Sequence, residues 1–390
     1  MSRVIVDVLD GDLFFHCKGK IEQSIKNSQE KHFYLVKVSS GENKKIYEDL
    51  FTALNYTEYH ICNPDDQVDA PWLLRLLCWL KKNKVPNEEL SLLTEIYRHR
   101  KDILLIHGNL FSAVCIYFLL LNHWKSLNWI CWGSFFESDN IGSRKIAIQF
   151  FCLKLLFRKF KRIICLMQPD VVTAQKKYGC RRVFLCPYPG VWNLHSEPEE
   201  TVEKNDKILV GNSAHSVYSY IDLTEKLIPY KDSIHLTFMI PYGTEYASLA
   251  EGVVKLRNLL QSEGFKHDFW DKVLSYKEYE KEMSKYRYYI CPYETQTGLG
   301  AIYKMIDNES TVYLTGFNFD WLSFLGFKVC SIKEFLERLE KQEALELETT
   351  VREENKKLFR HLWEPRHRIR QLERLLMIEH NLNKLDSNWL

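Results

Sequence analysis

The segment Asp102–Leu121, DILLIHGNLFSAVCIYFLLL, decides the fold. A short continuous apolar run ends at His107, Gly108 breaks it, and a longer apolar stretch of helical length follows. A strand buried on both faces and followed by a helix is the repeating unit of a parallel sheet covered by helices. The helical part is too short to span a bilayer and Lys125 follows closely, so it reads as a buried helix.

The same rhythm extends outward on both sides. VIVDVL and HFYLVKV precede the segment, and NWICWGS, a basic helix, RIICLMQ and RVFLCPYP follow it. A polar stretch after Trp192, NLHSEPEETVEKND, interrupts the pattern as a linker would. The pattern then resumes with KILVGNSA, SIHLTFMIPYG, RYYICPY and STVYLTG, separated by helical stretches, and closes on a charged helical tail. The expectation is an α/β protein of two Rossmann-like domains facing across a cleft, with C-terminal helices. The boundaries read are 1–195, 205–345 and a tail, 346–390, packing back on the N-terminal domain.

Length and composition agree with this layout. A chain of 390 residues is long for one hydrophobic core. A hydrophobic fraction of 46% excludes disorder, and a formal charge of +2 gives no global attraction to nucleic acid. The 11 cysteines are scattered without a C-x-x-C pair, which fits reduced thiols and offers no zinc spacing. The N-terminal stretch lacks the apolar run of a secretory signal, so a cytoplasmic location is expected.

In open α/β sheets ligands bind beyond the C-terminal strand ends. In the second half those ends carry Gly211, Asn212 and Ser213, then Tyr242 and Gly243, then Tyr293, Glu294, Thr295, Gln296, Thr297, Gly298 and Gly300 ahead of a helix. Glycine-rich backbone before a helix N-terminus suits a phosphate group. No lysine stands where a nucleoside-triphosphate loop would need one, which favours a diphosphate held by backbone, hydroxyl and amide groups. Each motif also has a plainer reading: Asn212 or Ser213 as a helix cap, Tyr242 as an exposed loop tyrosine, the glycines as packing.

The runs ILVGNS, IPYG and YETQTGLGAIYKMIDNESTVYL, with LLIHGN and WICWGS earlier, resemble the bacterial N-acetylfucosaminyltransferases of enterobacterial common antigen synthesis, glycosyltransferase family 56. The resemblance runs from about Val4 to Lys328 and is dispersed; Phe135 stands where that family has an aspartate after Trp-Gly. It implies a GT-B hexosyltransferase with no cofactor, and a metal-independent one is expected because the sequence holds neither an Asp-x-Asp motif in a suitable loop nor a histidine-carboxylate cluster. The donor it implies is a dTDP-activated deoxyamino sugar, and the acceptor a polyprenyl-diphosphate-linked glycan of O-antigen or common-antigen assembly at the cytoplasmic face of the inner membrane. A nucleotide-sugar epimerase of GT-B shape and a non-catalytic subunit of an assembly complex are the alternatives.

Transfer requires stabilisation of the leaving diphosphate and, for an inverting reaction, deprotonation of the acceptor hydroxyl. The second-half loops are expected to supply the first. His107 and Glu137 are the two groups considered for the second, His107 otherwise being a structural hydrogen-bonding residue and Glu137 a solvated loop residue. Glu294 is placed for a ribose or sugar hydroxyl, or as a helix-start carboxylate. In GSRKIAIQFFCLKLLFRKFKRII, Lys154, Arg158 and Lys161 fall on one helical face beside Leu153, Phe157, Phe160 and Ile164. That pattern fits either contact with an anionic membrane and the acceptor diphosphate or a core helix with a basic outer face.

Overall fold

The structure, a computed structural model, describes residues 4–11, 14–80, 85–108, 112–131, 144–176, 178–187, 202–244, 247–274 and 276–377. The chain divides into two compact units, one of residues 1–193 with 363–390 and one of residues 194–362.

In the first unit the chain runs β1 (Val4–Asp10), α1 (Phe14–Asn27), β2 (Lys31–Lys37), α2 (Gly41–Ala53), β3 (Tyr59–Cys62), α3 (Trp72–Leu80) and α4 (Asn87–Arg98). It continues through β4 (Ile103–His107), α5 (Ala113–Leu121), β5 (Ser126–Cys131), α6 (Arg144–Lys159), β6 (Arg162–Cys165), α7 (Gln168–Lys176) and β7 (Val183–Leu185). All pairings are parallel and the strand order is β3-β2-β1-β4-β5-β6-β7. Every residue of β4 and β5 is buried, which explains their continuous apolar runs. Trp129 in β5 donates its indole N–H to the Gly108 carbonyl at 2.8 Å and stacks on Phe157 of α6. Full burial of an aromatic of that size contributes on the order of 2–3 kcal/mol. Ser112 caps α5 by accepting from the Cys115 N–H, so the break at Gly108 passes into a well-started helix. The strand β3 was not read from the sequence; its YHIC is short and mixed in polarity.

The second unit runs β8 (Asn205–Val210), α8 (Val217–Leu227), β9 (His235–Met239), α9 (Ala247–Glu263), β10 (Lys266–Trp270), α10 (Tyr276–Met283) and β11 (Tyr286–Cys291). It closes with α11 (Leu299–Asp307), β12 (Thr311–Leu314), α12 (Gly316–Phe324), β13 (Cys330–Ser331), α13 (Ile332–Lys341) and α14 (Thr349–Leu362). Its sheet is also parallel, in the order β10-β9-β8-β11-β12-β13. The tail is divided between the units: α14 packs on α11 in the second, whereas α15 (Pro365–Met377) packs on α1 in the first.

In both sheets the first strand lies inside, so the winding direction reverses beside it. The reversal falls between β1 and β4 in one unit and between β8 and β11 in the other. Such a switch point opens a crevice between diverging loops.

Candidate functional site

The loops after β8 and β11 leave adjacent strands, with Val210 opposite Ile290 and the Gly211 N–H bonded to the Ile290 carbonyl. Gly211 has φ +73°, and a methyl group there would lie 1.9 Å from the Tyr220 hydroxyl. Only glycine fits this turn. It brings the chain under Tyr220 of α8, whose hydroxyl accepts from the Asn212 and Ser213 N–H groups at 3.1 and 3.4 Å and donates to the Ser213 carbonyl at 2.8 Å. The Tyr293 hydroxyl lies beside that of Tyr220 and donates to the Asn212 side-chain oxygen at 3.0 Å. Burial pushes both phenols well above the ordinary tyrosine range, so they remain neutral.

The turn before α11 meets the same loop. Gly298 caps the helix with φ +72°, and a methyl group there would approach the Asn212 amide carbon to 3.2 Å. The helix begins at Leu299, so Gly300 lies in its first turn and the Leu299, Gly300 and Ala301 N–H groups point out of its N-terminus. Asn318 of α12 fixes the turn from behind by donating to the Thr297 carbonyl at 2.9 Å. Gln296 is 8% exposed, and its side-chain oxygen finds no partner among the described residues. A buried amide oxygen without a partner costs about 1–3 kcal/mol, a cost that a bound donor group removes. Thr295 and Thr297 are half-buried on the same turn.

The third loop closes on the first. The Tyr242 carbonyl accepts from the Ala214 N–H at 2.7 Å, and Gly243 lies against the His215 ring. Tyr242 itself is 46% exposed at the tip. Ser213, although it precedes the helical turn at Ala214, makes no side-chain cap bond, and its burial is explained by Tyr220 instead. A fourth loop joins: Glu294 is exposed and accepts from the Thr315 hydroxyl at 3.0 Å, and its carbonyl accepts from the Phe317 N–H. The residues named from the sequence in this half therefore lie together. Tyr220, His215, Thr315 and Asn318 were not anticipated, because a helix-borne tyrosine or a buried asparagine carries no local signal.

In the first unit His107 ends β4 and is 2% exposed. Its Nε2 lies 2.8 Å from Asp7 Oδ1, and Asp7 also meets His32 at 2.5 Å and Lys20 at 3.4 Å. His32 reaches on to Glu373 of α15 at 3.2 Å. Burial works against the Asp7 charge, but Lys20, His32 and His107 outweigh it and hold the carboxyl well below its ordinary range. Burial likewise opposes the His32 charge and is outweighed by Asp7, so His32 is held above its ordinary value and bridges two carboxylates as an imidazolium. Burial keeps His107 below its ordinary value and neutral. The Nε2 proton of His107 is then donated to Asp7.

The basic helix requires a correction. α6 ends at Lys159, so Lys161 and Ile164 do not continue its faces: the Lys161 N–H already bonds the Leu127 carbonyl of β5, and Ile164 is in β6. Lys154 and Arg158 are exposed on the helix, and Phe157 and Phe160 are buried against Trp129. Glu137 and the Leu153 side chain lie outside the described residues. Among the described residues, no group of three or more His, Cys, Asp or Glu is placed to hold a metal ion, and no helix is long and apolar enough to cross a membrane.

No family model and no curated protein matches the sequence. Solved structures match its fold. S. aureus TarM in complex with UDP and a glycerol glycoside aligns with TM-score 0.64 and 8% identity over 96% of this chain and 100% of that one. Anabaena HepE in complex with UDP aligns with TM-score 0.64 and 10% identity over 96% and 99%. The UDP-GlcNAc 2-epimerase of Neisseria meningitidis aligns with TM-score 0.50 and 10% identity over 96% and 99%. The chain thus has the GT-B fold, two Rossmann-like α/β units with C-terminal helices.

Proposed function

We propose that the protein is a metal-independent GT-B hexosyltransferase that takes its sugar from a nucleoside-diphosphate donor. The observation that carries this is the meeting of the loops after β8, β9, β11 and β12 at the switch point of the second unit. In that place the α11 N-terminus, the Thr295–Gly298 turn, Gln296 and Ser213 suit a diphosphate, and charge developing on the leaving phosphate strengthens each hydrogen bond. Tyr242 and Gly243 are assigned to the base, and Glu294, steadied by Thr315, to a ribose or sugar hydroxyl. Of the two groups considered for the acceptor proton, His107 is withdrawn by burial and by Asp7, which favours Glu137.

The finer reading follows the sequence resemblance: a deoxyamino sugar such as N-acetylfucosamine, dTDP as carrier, and a polyprenyl-diphosphate-linked glycan as acceptor in surface-polysaccharide assembly, with the protein peripheral on the inner membrane. The two UDP complexes among the structural neighbours make UDP the competing carrier. The test is turnover of dTDP- and UDP-linked amino sugars with a short-chain polyprenyl-diphosphate disaccharide. A new glycolipid supports the reading. Conversion of the donor without acceptor would replace it with the epimerase reading, and nucleotide binding without any product would favour a non-catalytic subunit.

A further inference from the structure

We propose that the outward face of α3, with the adjoining end of α5 and the exposed side of α6, is a docking surface for an anionic lipid bilayer. The helix α3 turns Leu74 into the core and leaves Trp72 and Trp79 74% and 75% exposed. Trp72, Leu76, Trp79 and Leu80 recur at helical spacing, so they form one apolar stripe on the outside of the molecule. The neighbouring helices carry exposed apolar side chains too: α5 packs against both α3 and α6, and Leu121 at the end of α5 and Phe151 on α6 are exposed. Two tryptophans standing in water at both ends of one short helix are costly unless a partner covers them.

Charge identifies the partner. The three helices contain no aspartate or glutamate. Lys154, Arg158 and Lys159 are exposed on α6, and Lys81, Lys82 and Lys84 follow α3 directly in the sequence. Asp69, just before α3, is neutralised by Arg75. A second copy of the chain docked on the same face would bring these basic groups toward one another, which opposes self-association. A bilayer containing acidic lipid meets both needs, since indole rings settle at the headgroup level and lysine and arginine attract the negative surface.

The surface deepens the lipid-linked acceptor reading and rests on it for its purpose. Its test needs no nucleotide and fails separately. The full chain is floated with phosphatidylcholine vesicles, either pure or with about 30% phosphatidylglycerol, at low and high salt. The proposal expects flotation with the acidic vesicles, weakened by salt. It expects a loss of about tenfold or more in partitioning for Trp72→Ser with Trp79→Ser, and a similar loss for Lys154→Glu with Arg158→Glu. All four side chains are exposed, so the thermal midpoints of the variants should match the wild type. A wild-type chain that ignores both vesicle types overturns the proposal. So does a tryptophan variant that floats like the wild type, or a dimer in sedimentation that the tryptophan variant splits.

Discussion

The Tyr293 hydroxyl donates to the Asn212 side-chain oxygen at 3.0 Å, tying the loop after β11 to the loop after β8 across the switch point of the second sheet. The Tyr220 hydroxyl, beside that of Tyr293, bonds the backbone of Asn212 and Ser213, so two neutral phenols set the distance between the loops assigned to the donor.

Tyr293→Phe therefore removes the hydroxyl that donates to the Asn212 side chain at 3.0 Å and accepts from its N–H at 3.4 Å, and is expected to cost about 1–2 kcal/mol in stability. The larger effect should be on ligand: with Asn212 no longer held, nucleoside-diphosphate affinity should fall roughly fivefold to tenfold. Calorimetric titration beside a urea melt separates the two effects. Equal affinity in the variant would mean that the loop is held by other contacts.

Two glycines should respond differently to the same substitution. Gly211→Ala places a methyl group 1.9 Å from the buried Tyr220 hydroxyl and should destabilise the unit by several kcal/mol, about the cost of severe overpacking plus a left-handed alanine. Gly298→Ala meets only the edge of Asn212 at 3.2 Å, so a loss nearer ~1–2 kcal/mol is expected. Thermal melts of the two variants check the order.

The path from sequence to these loops was short because each lies where a buried parallel strand ends, and parallel strands announce themselves as apolar runs closed by glycine or proline. Gly211, Tyr242 and Gly298 were legible for that reason. Tyr220 was not, since its hydroxyl acts across the fold from the middle of a helix. Asp7 was missed for a related reason: it is a single charge inside VIVDVLD, and its partners Lys20, His32 and His107 come from three other elements, with Glu373 joining from a fourth through His32. The α6 faces were misread past Lys159 because Lys161 and Ile164 keep helical spacing after the helix has stopped. The exposed tryptophans of α3, Trp72 and Trp79, were not singled out from the sequence, since nothing local in WLLRLLCWL separates an exposed tryptophan from a buried one.

The buried network of the first unit gives a pH dependence. Asp7 and Glu373 are held below their ordinary values of 3.8 and 4.5, so the stabilisation they give is complete above those values and is lost as pH falls through the folded ones. His107, held below 6.5, adds a loss as pH falls from 6.5 through its folded value. His32 has the opposite sign: held above 6.5, it stabilises fully below that pH and its contribution fades as pH rises through its folded value. The urea midpoint should therefore fall on the acid side. Asp7→Asn should cost about 3–5 kcal/mol near neutrality, because Lys20 and His32 lose their buried counter-charge. A midpoint indifferent to this substitution would contradict the network.

The most direct measurement is calorimetric titration of the wild type and Gly298→Val with dTDP, UDP and GDP. Saturable binding of a pyrimidine nucleoside diphosphate, dTDP first, is expected in the wild type and is abolished in the variant while its fold persists. Absence of binding by any of the three, or undiminished binding to Gly298→Val, would contradict the assignment of the donor to the turn before α11.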